Sequence, residues 1–213
     1  MEKQYVDGRI RILNADYRIM VNEDEKADLI LADPPYNLGI AEWDFDFDFK
    51  GMLEVFAESI KPSGSVLIFN TFENVMKMSE MAKEIGLVVQ SDLMIWRKTN
   101  PHPNHMRKKG YTANNKEFIL WLSKTKNSYY TLENSEKFHD GIFEYSSSRN
   151  KTNHLCEKPV GLLEDLLLRH SKTNALIFDP FMGSGSVVKV CKKWKRRVVA
   201  WELDENWFKK IEL

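Results

Sequence analysis

The runs Ala27-Asp28-Leu29-Ile30-Leu31-Ala32, Ser65-Val66-Leu67-Ile68-Phe69 and Ala175-Leu176-Ile177-Phe178 are apolar at almost every position, which leaves such strands no face for water. Strands dry on both sides need cover on both, and the stretches between them supply it. Helical spacing runs from Met52 to Ile60 (Met52, Leu53, Val55, Phe56, Ile60), stopped by Lys61-Pro62-Ser63-Gly64. Further helices are expected from Glu73 to Ile85, with Gly86 as the C-terminal cap, from Pro159 to Arg169 and from Ser184 to Trp194. Other strands are expected at 9–13, 118–122 and 197–201, and from Leu87 to Trp96 with a bulge at Ser91 and Asp92. The alternation predicts an α/β chain on a mostly parallel, doubly wound sheet with helices on both faces. A helical turn is expected after Asn14-Ala15-Asp16, a long loop over 97–115, and an aperiodic polar stretch over 124–153.

At 213 residues one domain with room for a sizeable core is expected. Its 31 basic and 31 acidic side chains cancel, so the bulk charge is not that of a protein that coats polyanions. A basic face must come from local clustering. No apolar run has the length of a membrane helix, and Met1-Glu2-Lys3-Gln4-Tyr5 lacks the apolar core of a signal peptide. A cytoplasmic location without membrane partners is therefore expected. Cys156 and Cys191 do not make a disulfide framework and fit a reducing compartment.

Two turns carry the chemistry. Asp33-Pro34-Pro35-Tyr36 ends the first of the apolar strands, where the prolines remove two backbone donors and hold Asp33 and Pro34 extended. A carboxylate, a carbonyl and an aromatic ring are thereby gathered around one small space. The second turn, Asp179-Pro180-Phe181-Met182-Gly183-Ser184-Gly185-Ser186, joins a strand to a helix, as nucleotide-binding turns do in doubly wound folds. Gly183 and Gly185 allow close backbone approach, and Ser184 or Ser186 can cap the helix. Glu202 closes the next strand, near the ~20-residue spacing at which an acid takes a ribose hydroxyl pair. Val188 stands where a third glycine would suit a pyrophosphate, and Asp179 suits a cationic ligand better than a diphosphate. Asp16, Asp33, Asp179 and Glu202 each end or follow a strand, so a parallel sheet would gather them on its ligand-binding edge.

With these residues in view, the chain resembles the S-adenosylmethionine-dependent DNA amino-methyltransferases. It carries their Asp-Pro-Pro-Tyr and Asp-Pro-Phe-x-Gly-Ser-Gly hallmarks unaltered, in the permuted order of the beta group. Supporting matches are Asn14-Ala15-Asp16, Lys61-Pro62-Ser63-Gly64, Trp96 to Pro101, Lys116-Glu117-Phe118, His154 with Lys158-Pro159, and Glu202-Leu203-Asp204. The resemblance implies a Rossmann-like methyltransferase fold with a small target-recognition insertion. A catalytic region over residues 1–123, an insertion over 124–153 and a cofactor-binding region over 154–213 would then make a single methyltransferase domain, 1–213.

It also implies methyl transfer from S-adenosylmethionine to the N6 amine of a flipped-out adenine in DNA. Asp33, Pro34, Pro35 and Tyr36 would be catalytic, the first two accepting the amine hydrogens and the ring stacking on the base. Glu202 would take the ribose hydroxyls and Asp16 the cofactor's adenine end. Asp33, Asp179, Phe181, Gly183, Ser184 and Gly185 would line the cofactor, with Lys158 near its methionine moiety. Aspartate as first residue of the motif favours adenine, whereas cytosine-N4 enzymes more often begin it with serine. A homodimer and a cognate restriction endonuclease are partners the family allows. Leu155-Cys156-Glu157 replaces the usual Pro-Thr-Gln, Trp201 stands where a small residue is common, and little chain remains after Glu202 for a final helix.

Two basic clusters differ in place. Lys192, Lys193, Lys195, Arg196 and Arg197 follow the helix that leaves the glycine turn and fall on the far edge, where the helix terminus favours cations. Arg97, Lys98, Arg107, Lys108 and Lys109 follow a strand and would reach DNA phosphates if that strand runs parallel. Tyr129, Tyr130, Phe138, Phe143 and Tyr145 either stack on DNA or cover the sheet edge. His102, His105, His154 and Cys156 match no zinc spacing, so no metal is expected. Neither cysteine follows a proline, as a cytosine-C5 nucleophile usually does. A nucleotide-dependent oxidoreductase would explain the glycine turn but not Asp33 to Tyr36. A catalytically silent DNA-binding subunit would not need both motifs intact.

Overall fold

β3 (Ala27–Ala32) sends Leu29 and Leu31 into one apolar layer and Ile30 and Ala32 into another, all of them buried. A computed structural model describes residues 1–5, 8–39, 46–90, 93–100, 115–132, 139–147 and 157–211. Among these, β3 lies inside a ten-stranded sheet. Its path runs β1 (Glu2–Tyr5), β2 (Ile10–Asn14), β10 (Arg197–Glu202), β9 (Leu176–Asp179), β3, β4 (Ile60–Asn70), β7 (Lys116–Ser123), β6 (Met94–Lys98), β8 (Ile142–Tyr145). A short β5 (Val88–Val89) also pairs with β7.

The strands β2, β10, β9, β3 and β4 are mutually parallel, β7 runs against β4, and β6 turns back against β7. The parallel half, dry on both faces, is covered as such sheets must be. A 3-10 turn (Tyr17–Asn22), α1 (Phe49–Ser59) and α2 (Phe72–Glu84) pack on one side. On the other lie α3 (Val160–His170), α4 (Ser186–Lys193) and α5 (Glu205–Lys210). This is the mixed α/β, Rossmann-like arrangement expected, with an antiparallel excursion at β7. No helix among the described residues is long and apolar enough to cross a membrane.

Local chemistry sets the helix starts. The Asp48 carboxylate accepts the Gly51 amide at 2.9 Å to open α1, and Asp204 accepts the Asn206 amide at 2.7 Å to open α5. α2 begins at Thr71, whose hydroxyl accepts the Asn74 amide at 3.3 Å, and it ends before Gly86 at φ 83°. Replacing Thr71 by alanine is expected to cost about 1 kcal/mol, read as a lower urea midpoint at unchanged slope.

Several expectations are corrected. Lys61 to Gly64 do not merely stop a helix: they are the extended start of β4, held to β3 by Lys61 Nζ on both Asp28 oxygens at 3.0 Å. Leu87 to Trp96 splits into two strands, with Ser91 and Asp92 outside the described residues. The aperiodic stretch holds β8, where Phe143 is buried and Ile142 and Glu144 are exposed. α5 forms after Glu202 despite its shortness, because its cap is satisfied and Phe208 and Ile211 enter the core.

Tyr130, Phe143 and Tyr145 pack on the protein rather than offer faces for stacking. Tyr130 packs on Trp121 and His170, Phe143 is buried, and the Tyr145 hydroxyl donates to Asp165 at 2.9 Å. Tyr129, whose amide donates to the Ser63 carbonyl at 2.8 Å, lies at the amino edge of the sheet. Phe138 is outside the described residues.

Candidate active site

Parallel strands end on one edge, and that edge collects the acids. Asp16 lies just past β2, Glu202 ends β10, Asp179 ends β9 and Asp33 follows β3. Four strand ends from neighbouring positions in the sheet thus place four carboxyl groups along one sheet edge, the edge that binds ligands in such folds.

The cleft is lined by Leu31, Asp33, Phe69, Lys158, Phe181 and Gly183, with Asp179, Ser184 and Glu157 among its other walls. Gly183 and Gly185 adopt φ 51° and 75°, so side-chain-bearing residues there would be strained. A Cβ on Gly185 would also meet Ile211 Cδ1 at 2.8 Å. Gly185 itself is the N-cap of α4, and no side chain caps it. The serine hydroxyls expected to do so reach Glu157 Oε1 instead, Ser184 at 3.3 Å and Ser186 at 2.9 Å.

Asp179 is 2 % exposed, and its Oδ2 has no hydrogen-bond partner among the described residues. Burial, first, and the charges of Glu202 and Asp33 raise its carboxyl well above the usual range, against the pull of the Phe181 amide. A buried orphan acceptor among negative neighbours is a place for a cationic ligand. Glu202 is held by the amides of Gly183 (to Oε2) and Asp204 (to Oε1), each at 2.8 Å. Burial also raises its carboxyl, although those amides oppose the rise. Asp16 caps the 3-10 turn through the Arg18 amide at 2.8 Å and pairs with the Arg18 guanidinium. Phe181 packs against Tyr17, ring centroids 4.9 Å apart, and against Phe47 at 5.7 Å, which makes an aromatic wall beside the glycine turn.

At the other end of the cleft stands the Asp33 turn. Both its carboxylate oxygens are engaged: the Tyr36 hydroxyl donates to Oδ1 at 3.0 Å and Lys158 Nζ to Oδ2 at 2.6 Å. Burial raises the Asp33 carboxyl, Lys158 lowers it, and the balance lies above the ordinary value. The backbone of the turn is anchored by Asn74 Nδ2, which donates to the Tyr36 carbonyl at 2.8 Å and to Asn70 Oδ1 at 2.7 Å.

Sequence reasoning places Lys158 by the cofactor and gives Glu117 no role. The structure joins them: Glu117 Oε2 shares the single Tyr36 hydroxyl proton with Asp33, at 3.1 Å, and lies 3.4 Å from Lys158 Nζ, while Oε1 takes Lys98 at 2.6 Å. Lys98 and Arg97 do end a strand on the ligand edge, since β6 and β4 both run against β7. Lys98 faces Glu117, and Arg97 donates to Glu144 at 2.8 Å. Arg107, Lys108 and Lys109 lie outside the described residues, as do His102, His105, His154 and Cys156. At the opposite edge, Arg197 pairs with Glu25 and Lys193 with Glu164, as local charge balance would have it.

Comparison with known proteins gives this edge a family. The chain is 27 % identical over 223 residues to the type II methyltransferase M.HinfI of Haemophilus influenzae, covering 86 % of this chain and 61 % of that protein. To the type II methyltransferase M2.LlaDCHI of Lactococcus lactis subsp. cremoris it is 26 % identical, over 98 % of this chain and 90 % of that one. The crystal structure of the M1.HpyAVI–SAM complex superposes with a TM-score of 0.78 at 25 % identity, over 94 % of this chain and 96 % of that one. The PvuII DNA methyltransferase, described as cytosine-N4-specific, shares the fold at 14 % identity and a TM-score of 0.76, over 95 % and 86 %. Residues 27–212 match the profile of the N6_N4_Mtase family, from the Asp33 strand through the glycine turn to the last helix, so the chain belongs to that family of DNA methylases.

Proposed function

We propose that the protein is a DNA methyltransferase that transfers the methyl group of S-adenosylmethionine to the N6 amine of an adenine turned out of the duplex. One observation carries this reading: Asp33 and the Asp179 glycine turn line one cleft on the same sheet edge, with Lys158 and Phe181 in its wall, and Glu202 holds the Gly183 amide of that turn at 2.8 Å. The amine of adenine is a poor nucleophile because its lone pair is delocalised into the ring. Acceptance of its hydrogens by the Asp33 carboxylate and the Pro34 carbonyl localises that pair. Pro34 and Pro35 keep the turn extended, so the two acceptors are fixed before the base arrives. Tyr36 supplies an aromatic surface for the extruded base.

The cofactor fits the donor set of the cleft. The orphan Asp179 Oδ2 accepts from its cationic end, Glu202 takes its ribose, and Gly183 and Gly185 let it approach the backbone. Asp16, Phe181 and Ser184 complete the cofactor side. Bound S-adenosylmethionine supplies an electrophilic methyl on a cationic sulfur. Asp179 and Glu202, which have no basic partner among the described residues, favour that charge, and the apolar walls Leu31, Phe69 and Phe181 exclude water from it.

Adenine rather than cytosine rests on the aspartate that opens the motif. Arg97, Arg107, Lys108 and Lys109 would contact DNA phosphates in this reading. Incubation with mixed DNA and methyl-labelled S-adenosylmethionine, followed by digestion to nucleosides, tests it. The label is expected in N6-methyl-2′-deoxyadenosine; label in N4-methyl-2′-deoxycytidine would move the substrate to cytosine, and no label in any nucleoside would defeat the reading.

A further inference from the structure

The carboxylate that must grip the target amine is already gripped. Lys158 Nζ sits 2.6 Å from Asp33 Oδ2, and the Tyr36 hydroxyl holds Oδ1. An ammonium at that distance occupies the place of an amine donor and draws off the electron density on which acceptance depends. It cannot simply withdraw. The Lys158 side chain is 8 % exposed, and a buried ammonium without a counter-charge is costly.

A second acceptor stands ready. Glu117 Oε2 is 3.4 Å from the same nitrogen, and the Glu117 side chain is 16 % exposed. Between the two carboxylates lies the Tyr36 hydroxyl, 3.0 Å from one and 3.1 Å from the other. The ammonium lies 5.5 Å from the centroid of the Tyr36 ring and 5.3 Å from that of Phe69, so two aromatic faces attend it along the way. Lys98, 2.6 Å from Glu117 Oε1, keeps the second carboxylate fixed from the outside. Burial opposes ionisation of Glu117, but Lys158 and Lys98 outweigh it and hold its carboxyl below the ordinary value.

Building on the methyltransferase reading above, we infer that Glu117 is a positioning residue: it receives the Lys158 ammonium as the target amine docks on Asp33. The exchange swaps one ion pair for another inside the same pocket. Asp33 is released as an acceptor only when a base is present to use it. In the absence of a base, Lys158 keeps Asp33 neutralised and the turn in shape.

Glu117→Gln tests this, because glutamine still accepts the Tyr36 hydroxyl but no longer offers a charge to Lys158. The variant is expected to lose about 10- to 100-fold in kcat, the worth of one charge-assisted hydrogen bond, with KM for DNA and cofactor affinity little changed. Removing the obstructing ammonium as well, in Glu117→Gln/Lys158→Met, is expected to restore much of the lost rate, whereas a purely structural lesion would deepen. Glu117→Asp should retain more activity than Glu117→Gln. Full activity in Glu117→Gln, or a double variant slower than the single one, overturns the role of Glu117. Absence of labelled nucleoside with the wild-type enzyme would instead strike the methyltransferase reading itself.

Discussion

Asp33→Ala is expected to lower methyl incorporation into DNA by roughly 10²- to 10³-fold or more, while cofactor binding stays of the same order as in the wild type. The size follows from what is removed. Asp33 supplies one of the two acceptors that localise the amine's lone pair, and a preorganised electrostatic contact of that kind costs nothing to align at the moment of reaction. Asp33 is not needed as a strong base, because the methylated amine can shed its proton after transfer. Burial raises the Asp33 carboxyl, with Lys158 pulling the other way. The alanine variant leaves Lys158 within 3.4 Å of Glu117, so the buried ammonium retains a partner and the fold should survive. Tritiated-methyl incorporation measured beside a cofactor titration separates the two effects. Near-normal incorporation would remove Asp33 from the chemistry, and equal loss of cofactor binding would make it a binding residue instead.

How much of this edge is legible in the sequence depends on strand direction. β3, β9 and β10 announce themselves as parallel because they are dry on both faces, and their order fixes where Asp33, Asp179 and Glu202 meet. β7 carries the same apolar residues, Ile119, Leu120 and Leu122, yet runs the other way. No residue type marks that reversal. It brings the start of β7, and with it Glu117, to the ligand edge, and it sends residues 124–132 to the opposite one. A single illegible direction therefore hides that Glu117 stands beside Asp33 and Lys158, and leaves Tyr129 and Tyr130 open between stacking on DNA and covering the sheet edge. Lys98 looks like a phosphate contact when its strand is considered alone; only the β6–β7 pairing reveals Glu117 beside it. The serines of the glycine turn mislead for a different reason. A cap is the local solution, but Glu157, remote in sequence until α3 packs on α4, competes for both hydroxyls.

Asp179→Asn should separate stability from binding. In the free protein the Asp179 carboxyl is raised far above its unfolded value of about 3.9, by burial foremost and by Glu202 and Asp33 in addition. A raised carboxyl means that the folded chain binds the proton more tightly than the unfolded one, so this group destabilises the fold increasingly as pH climbs above about 4. Asparagine removes that penalty. The ligand-free variant is therefore expected to melt above the wild type, by a margin that widens with pH from about 4 upward. Its affinity for S-adenosylmethionine should fall by about 10- to 100-fold, since the cation loses a charged acceptor. Proton linkage supplies the diagnostic. A cation beside Asp179 favours the ionised form, so binding to the wild type should release protons and tighten as pH rises. Calorimetric titrations in buffers of different ionisation enthalpy are expected to show that release, diminished in the variant to what Glu202 and Asp33 contribute. A higher melting point without weaker binding would place the cofactor's charge elsewhere in the cleft. Proton uptake on binding would reverse the electrostatic logic of the site, because Asp16 and Asp33 already have Arg18 and Lys158 as partners, and it is Asp179 and Glu202 whose charge the ligand is left to balance.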